Sequence, residues 1–226
     1  MNWVALSTTF KLAAITSLIL LTLGIPIAYW LTYSKWKWKF LVEAVVALPL
    51  VLPPTVLGFY VLVAIGPRSP LGRGYEGLVG HPLPFTFEGL VLASMLYSLP
   101  FAVQPMAMAF ASVDLKFLEA SWLLGVSRMG TFFRIVLPQS IGGLVTGVVL
   151  SFAHTLGEFG VVLMVGGNIE GVTRTVSIDI YDDVQALNYA GANRTALLLL
   201  AFSFLVLSLV YAFNRKVWAV WPDIRA

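Results

Sequence analysis

Long uncharged hydrophobic runs alternate with short charged segments along this chain. Each run has 20 to 25 residues, and the five are Leu12–Ser34, Ala44–Pro67, Gly89–Val113, Ile135–Gly157 and Thr195–Asn214. About 20 apolar residues are enough for a helix to cross the hydrocarbon part of a bilayer. The pattern therefore predicts an all-α fold, a polytopic membrane helix bundle with about five transmembrane helices and a single transmembrane domain over residues 1–226.

The composition agrees with a lipid environment. Apolar residues make up 59% of the chain and charged residues 11%, and the mean hydropathy is +0.89. An average soluble domain has about 25% charged residues. The chain has no cysteine, which excludes disulfides and thiolate metal sites. The net charge of +3 is small and does not indicate binding to nucleic acid.

The positions of the charges predict an orientation. Nine of the fourteen cations fall in three segments that alternate on one side of the bundle, namely Lys35, Lys37, Lys39, Lys116, Arg128, Arg134, Arg215, Lys216 and Arg225. The other side carries five cations and six acids. Because cations favour cytoplasmic loops, the N-terminus is expected outside and the C-terminus in the cytoplasm. The lysine run by itself indicates a topology anchor.

Prolines interrupt the second hydrophobic run. Pro53 and Pro54 are adjacent, and Thr55 follows them directly. A proline removes a helix donor and clashes with the preceding turn, so this run is either a kinked span or a broken helix beside a translocation pathway. The third run carries Ser94 and Ser98 in a similar proline-containing context.

The fourth run contains the polar residues that cost most to bury. His154 and Glu158 are four residues apart and share one helical face with Ser151, while Gly147 allows another backbone to approach closely. Ionisable residues in membrane segments are by default candidates for functional sites. We expect this face to line the pathway. The alternative is a packing role, with Glu158 near the outer interface and hydrogen-bonded to His154.

Two outer segments offer other polar groups. In residues 166–194, Asn168, Arg174 and Thr175 could contact an anion or a docking protein, and Asp182 and Asp183 could pair with basic residues of such a partner. The plainer interpretation is a loop and short helix packed over the bundle. His81 has no partner at metal-ligand spacing, so no metal site is expected. No GxxxxGK[ST] phosphate loop and no credible catalytic arrangement occur, so the chain is not expected to be an enzyme or to hydrolyse ATP.

A polar stretch follows the third run on the predicted cytoplasmic side. Glu119 and Ala120 precede Gly125, and Ile135, Leu137 and Pro138 follow it after nine residues, a spacing that resembles the EAA loop of bacterial ABC importer permeases. Ser121 stands where that pattern has its second alanine. The resemblance implies a cytoplasmic coupling loop over residues 114–138 that contains a coupling helix.

The whole chain resembles the permeases of molybdate ABC importers over roughly residues 1–215. The stretches that carry this resemblance are Ala47–Leu62, Leu118–Pro138 and Gly157–Gln185. The second is typical of importer permeases in general, and the other two favour the molybdate branch with its sulfate and tungstate relatives.

The resemblance implies partners and site residues. A homodimer of this chain would sit in the bacterial inner membrane as a multi-pass protein, with two copies of a cytoplasmic ABC ATPase and an extracytoplasmic oxyanion-binding protein. ATP and Mg would bind to the ATPase, and this chain would bind no cofactor. The residues expected to couple to the ATPase are Glu119, Ala120, Ser121, Gly125, Arg128 and Met129.

The pathway of such an importer would offer hydroxyl and backbone donors to a tetrahedral dianion. Hydroxyl groups suited to this are those of Thr55, Ser94, Ser98, Thr146 and Ser151. Glu158 does not suit an anion unless it is neutral or lies at the rim. The expected function is therefore ATP-driven uptake of molybdate, with sulfate or tungstate as alternative substrates. Two other hypotheses are a proton-coupled secondary transporter that uses His154 and Glu158, and a membrane scaffold without transport.

Overall fold

The computed structural model describes residues 2–213, and the regular structure in that range is helical. Its α-helices are α1 (Trp3–Tyr33), α2 (Lys39–Ala47), α3 (Pro54–Ile65), α4 (Pro70–Val79), α5 (Phe87–Ala111), α6 (Leu115–Leu123), α7 (Arg128–Thr131), α8 (Leu137–Gln139), α9 (Ile141–Leu156), α10 (Gly160–Gly166), α11 (Val176–Gln185) and α12 (Tyr189–Phe213). A 3₁₀ turn covers Leu48–Leu50, and a π-helical turn covers Phe132–Val136. The predicted cytoplasmic C-terminus, with Arg215, Lys216 and Arg225, lies outside the described residues.

Three helices in the described range are long and apolar enough to cross a membrane: α1, α5 and α12. Two further spans exist if each of two bent pairs is counted as one. These pairs are Lys39–Leu50 with Pro54–Ile65, bent by 113°, and Arg128–Gln139 with Ile141–Leu156, bent by 70°. The predicted all-helical membrane bundle is confirmed. In the second and fourth predicted runs, a bent pair of helices takes the place of one straight helix.

Helix α1 begins nine residues before the hydrophobic run that predicts it. The Asn2 side chain accepts hydrogen bonds from the amides of Val4 and Ala5, which caps the helix. One turn further on, the Thr9 hydroxyl accepts a hydrogen bond of 2.8 Å from the amide of Val176, at the start of α11. The polar first turns are thus held by α11. The plainer expectation for residues 166–194, a loop and short helix packed over the bundle, is confirmed.

The two adjacent prolines separate α2 from α3. Pro53 is extended, with ψ of 136°, because the ring of Pro54 disfavours helical backbone in the preceding residue. Pro54 then occupies the first turn of α3, where its missing N–H would have no helical acceptor anyway. The prolines therefore end one helix and start the next.

The centre of the bundle is formed by α1, α5 and α9. Helix α9 approaches α5 through glycines: a Cβ on Gly147 would lie 2.7 Å from the carbonyl oxygen of Ala102, and one on Gly143 would overlap Ala109. The predicted close backbone approach at Gly147 is confirmed. Small residues at such contacts are the usual device for packing helices in lipid.

Candidate functional site: a cavity between two helix breaks and a helical hairpin

Helix α10 packs on α3 so closely that the two breaks in the bundle become neighbours. A Cβ on Gly58 would lie 2.8 Å from the Cβ of Met164, and a Cβ on Gly160 would lie 2.7 Å from the Cβ of Pro54. Pro54 starts α3, and Gly160 starts α10. The interruption after α2 therefore lies against the interruption between α9 and α10.

A cavity of about 600 Å³ lies where these interruptions meet. Three of the predicted pathway residues line it, namely Thr55, His154 and Glu158. Tyr97 and Pro54 complete much of the wall. Irregular backbone at membrane depth is tolerated where it lines a cavity, and binding sites of transporters are often built at discontinuous helices.

His154 is held in place by three neighbours from α5. Its ring stacks on Phe101, with centroids 3.9 Å apart, and lies 4.8 Å from the Tyr97 ring. Its Nδ1 atom is 2.9 Å from the Ser98 hydroxyl, which is also 2.9 Å from the Thr155 hydroxyl. Ser98 thus bridges two residues of α9. This arrangement fixes the imidazole at the cavity wall.

Glu158 is 4% exposed and lies between α9 and α10. Neither of its carboxyl oxygens forms a hydrogen bond with a described residue. The same holds for the hydroxyl of Ser94, one turn before Ser98 on α5. The alternative expectation, a hydrogen bond between His154 and Glu158, is wrong, because neither carboxyl oxygen of Glu158 has a hydrogen-bond partner among the described residues. Nδ1 of His154 is bonded to Ser98.

The remaining predicted pathway residues lie elsewhere on α9. Thr146 lines a second cavity of about 350 Å³, which also borders Leu50 and Gln104. Ser151 is buried and its hydroxyl donates to the carbonyl of Val148, within its own helix. The structure therefore groups Thr55, Ser94, Ser98, His154 and Glu158 and leaves these two apart from them.

The predicted coupling loop folds as a helical hairpin, residues 114–138, in which α6 and α7 are joined by a tight turn. Gly125 has a φ of +78°, and two hydrogen bonds close the end of α6: the amide of Val126 donates to the carbonyl of Ser121, and the amide of Gly125 donates to that of Trp122. This is a Schellman cap, which strongly favours glycine at that position. Ser127 then caps α7 through the amide of Gly130.

The hairpin is attached to the bundle on one face and exposed on the other. Leu118, Phe132 and Val136 are buried in the same core cluster as Phe110 of α5. Leu123 and Leu124, at the tip, are 89% and 83% exposed. Glu119, Ala120, Gly125, Arg128 and Met129 are exposed as well, whereas Ser121 is buried. Exposed apolar side chains grouped in this way are typical of protein interaction surfaces.

The polar residues of the outer segment bond largely to one another. The amide nitrogen of Asn168 donates to Asp182 over 2.7 Å, and Nε of Arg174 donates to Asn168 over 2.7 Å. Asp183 accepts from Asn188 instead. Three of the four predicted docking residues thus form one partly exposed network, in which Arg174 also pairs with Asp182 at 3.5 Å.

Several residues of the site were missing from the sequence prediction. Tyr97 and Phe101 lie on the same face of α5 as Ser94 and Ser98. Their spacing of three and four residues is the sequence signal that could have identified them as part of the site. Gly160 carries no such signal, because its role depends on the approach of Pro54 from a distant helix.

The overall architecture matches membrane chains of ABC importers of known structure. A chain of a bacterial ABC transporter involved in the import of the acidic polysaccharide alginate superposes with a TM-score of 0.75 and 16% identity, covering 95% of this chain and 79% of that chain. A chain of the MetNI methionine ABC transporter, in an inward-facing form, gives a TM-score of 0.73 and 16% identity, covering 96% of both chains. The fold is that of an ABC importer permease.

Sequence comparison identifies the family. Residues 21–219 match the model of the binding-protein-dependent transport system inner membrane component family, and the chain belongs to this family. It is 50% identical to the molybdenum transport system permease protein ModB of Azotobacter vinelandii, over 93% of each chain. It is 35% identical to the ModB protein of Escherichia coli K12, over 91% of this chain and 90% of that one.

Proposed function

We propose that this chain is the permease of an ATP-driven molybdate importer, the subunit through which the oxyanion crosses the inner membrane. The observation that carries the proposal is the 50% identity to a molybdenum permease over 93% of both chains. The chain supplies the membrane passage, and a separate ATPase that binds ATP and Mg supplies the energy. As a member of this family, the chain is a multi-pass inner membrane component of a binding-protein-dependent system.

The proposed orientation places the N-terminus outside and the C-terminus in the cytoplasm. The count of cations supports it, and it puts the hairpin of residues 114–138 on the side where an ATPase could reach it. The network of Asn168, Arg174 and Asp182 then faces outward, as docking by a binding protein requires.

We propose that two copies of the chain assemble around a common pathway. Helix α3, which borders the cavity through Pro54 and Thr55, also presents large exposed apolar side chains, including Phe59, Tyr60 and Val63. A second copy packed on this face would bury those side chains and bring the two cavities together along a two-fold axis. Two ATPase subunits would then contact the two hairpins.

The hairpin suits the transmission of ATPase movement. Its exposed tip, at Leu123 and Leu124, would insert into the ATPase, and its base is packed on α1 and α5 through Phe132 and Leu118. Since packed interfaces move as rigid bodies, closure of the ATPase pair would draw the two hairpins together. The membrane helices would then rock from inward-open to outward-open.

The proposed pathway passes the cavity between the two helix breaks. Hydroxyl groups near it, on Thr55, Ser94 and Ser98, are suited to a tetrahedral oxyanion, and His154 adds a ring held at the wall. Glu158 would be the least compatible group for a dianion. We propose that Glu158 controls the passage of the anion and does not bind it tightly.

Sulfate is the second candidate substrate, and one observation favours it. The chain is 31% identical to the probable sulfate transport system permease protein cysT of Prototheca wickerhamii, over 89% of this chain and 79% of that one. The lower identity ranks sulfate behind molybdate. Tungstate, which has the same shape and charge as molybdate, is a further alternative. A proton-coupled secondary transporter is disfavoured by the family membership.

The decisive experiment is uptake of radiolabelled molybdate into proteoliposomes that contain the chain, its ATPase and its binding protein. We expect uptake to require ATP, to be inhibited by excess tungstate more than by excess sulfate, and to be lost in Gly125→Val, because a β-branched residue is strained at a φ of +78°. Gly77→Ala is the matched control, since Gly77 lies in α4 with open space around it. Uptake that persists without ATP would contradict the proposal.

A further inference from the structure

A cavity of about 450 Å³ lies between the C-terminal half of α1 and the start of α7, away from the proposed pathway. Its wall on α1 is formed by Ile25, Pro26, Tyr29 and Tyr33, and its opposite wall by Arg128 and Met129 of the hairpin. The Tyr29 ring packs edge-on against Phe132 at 5.0 Å, and the Tyr33 hydroxyl donates to the carbonyl of Phe110. The walls are therefore held in place by the bundle.

The cavity extends from the end of α1 toward the interior of the membrane. Ser34, which ends the helix, and Ile25 both line it. Nine residues of helix at 1.5 Å per residue correspond to about 13 Å of depth. Trp30 and Met129 at the rim are 39% and 67% exposed, so the cavity opens sideways as well as toward the membrane surface. An occupant would need one end at the interface and one end in hydrocarbon.

The interfacial end of the cavity is basic. Arg128 forms no ion pair with any described residue, and its guanidinium lies over the Trp122 ring, 5.8 Å from the centroid. Lys35, which follows Ser34 directly, and Lys37 are both exposed. None of the described residues that line the cavity is acidic. A basic rim above an apolar, aromatic wall is complementary to an anionic headgroup above an acyl chain.

Two protein occupants fit this cavity less well. A second copy packed on this face about a two-fold axis would place the same basic patch opposite itself, without a carboxylate to pair with it. A soluble ATPase could reach Arg128 but not Ile25, because the inner wall lies about 13 Å below the helix end. A lipid satisfies both conditions, since it supplies the negative charge at the interface and the apolar chain below it.

We propose that this cavity binds one anionic phospholipid, with its phosphate on Arg128 and one acyl chain along Tyr33, Tyr29 and Ile25. The lipid joins α1 to the hairpin that contacts the ATPase, so it belongs to the cytoplasmic leaflet. This assignment of the leaflet rests on the proposed function, whereas the binding itself does not. Anionic lipid is thereby a structural component of the coupling region.

The test is native mass spectrometry of the full-length chain in detergent, titrated with dioleoyl phosphatidylglycerol and, separately, with dioleoyl phosphatidylcholine. We expect one tightly bound phosphatidylglycerol per chain and much weaker binding of phosphatidylcholine. Arg128→Gln should weaken phosphatidylglycerol binding about tenfold, because a charge-assisted contact to phosphate is lost. Arg134→Gln, an equal change at an exposed residue of the same hairpin that does not line the cavity, should not.

Two further arms separate the possible occupants. Ile25→Trp fills the inner end of the cavity and should weaken lipid binding while the basic rim remains. Inorganic phosphate should not displace the lipid, since it has no acyl chain. Equal effects of Arg128→Gln and Arg134→Gln, displacement by phosphate, or loss of a dimer rather than of lipid in Arg128→Gln would each overturn the proposal. The measurement uses neither ATP nor molybdate, so its failure is distinct from failure of the transport function.

Discussion

The hydroxyl groups of Ser121 and Thr131 lie 2.9 Å apart and join the two helices of the hairpin. Ser121 is 6% exposed and Thr131 is 2% exposed, so the contact is shielded from water. The Thr131 hydroxyl also donates to the carbonyl of Ser127 over 3.1 Å, which leaves Ser121 as the donor of the shared bond. The serine that departs from the EAA pattern thus has a specific partner ten residues away.

Removal of one partner of this bond is expected to cost more than removal of the other. Ser121→Ala leaves Thr131 bonded to Ser127 and should lower stability by about 0.5–1 kcal/mol, whereas Thr131→Val leaves a buried Ser121 hydroxyl without its acceptor and should cost about 1–3 kcal/mol. The apparent melting temperatures of the two single variants and the double variant in detergent measure the difference. Strictly additive shifts would contradict a direct coupling between the two hydroxyls.

The exposed tip of the hairpin is expected to bind the ATPase through apolar contacts. Leu123→Glu should leave the melting temperature nearly unchanged, because Leu123 is 89% exposed. It should weaken association with the ATPase by about tenfold or more, since burial of a leucine contributes about 1.5–3 kcal/mol. Leu78→Glu, at an equally exposed leucine of α4, is the control for a general effect of the charge. Co-purification and binding titrations give the readout, and equal loss in both variants would contradict the assignment.

Ser98 is expected to stabilise the junction of α5 and α9 only modestly. Its hydroxyl contacts both His154 and Thr155, but hydrogen bonds between membrane helices contribute only about 0.6 kcal/mol on average. Ser98→Ala should therefore lower the free energy of unfolding by only about 1 kcal/mol. The uptake rate should change clearly, because the imidazole of His154 loses the hydrogen bond that orients it. Thermal denaturation and uptake kinetics test this, with the exposed Ser112→Ala as control. An unchanged uptake rate would argue against a pathway role for His154.

Replacement of Glu158 by glutamine is expected to preserve or increase molybdate uptake. The change keeps the shape of a side chain that is 4% exposed and removes a carboxyl group whose negative form would repel a dianion. Glu170→Gln, at an exposed outer residue, controls for the change in total charge. Initial rates of uptake against molybdate concentration give the answer. If Glu158→Gln abolishes uptake while the complex assembles, the acid itself is required, and the proton-coupled hypothesis regains support.

Because α9 contacts α5 closely, we expect one added methyl group at this contact to lower the stability of the bundle strongly. A Cβ on Gly147 would lie 2.7 Å from the Ala102 carbonyl oxygen, so Gly147→Ala must push the helices apart and should cost about 1–3 kcal/mol. Gly74→Ala in α4 adds the same methyl group in open space and should be neutral or stabilising, as alanine favours helix. Melting temperatures in the same detergent compare the two. Equal stability would show that the bundle relaxes without cost.

The sequence predicts the class of fold because a helix needs about 20 apolar residues to cross the hydrocarbon core of a bilayer. Runs such as Gly89–Val113 must be helical, since no water is present to bond the backbone, and α5 (Phe87–Ala111) agrees within two residues at each end. The Pro53–Pro54 break was open to two interpretations, a kink or a full interruption. The structure decides for interruption because α3 turns away from α2 by 113°.

The parts of the site that could not be predicted depend on contacts between distant segments. The spacing of four residues suggests a bond between His154 and Glu158, yet Ser98 of α5 competes for the imidazole. The motif marks Gly125 as special without giving the reason, which is its backbone conformation at the end of α6. The sequence marks Ser121 only as a departure from the alanine of the EAA pattern. Its role depends on Thr131, which lies across a turn.

The π-helical turn at Phe132–Val136 determines how the hairpin is rotated about the helix axis relative to α9. A π turn contains one residue more than the α-helical turn it replaces, and one residue corresponds to about 100° of rotation around a helix axis. Deletion of a single residue in this turn would leave both neighbouring segments intact but would rotate the tip, with Leu123 and Leu124, by about a quarter of a revolution relative to the membrane helices. The number of residues in this five-residue turn therefore determines the direction in which the hairpin tip points relative to the membrane helices.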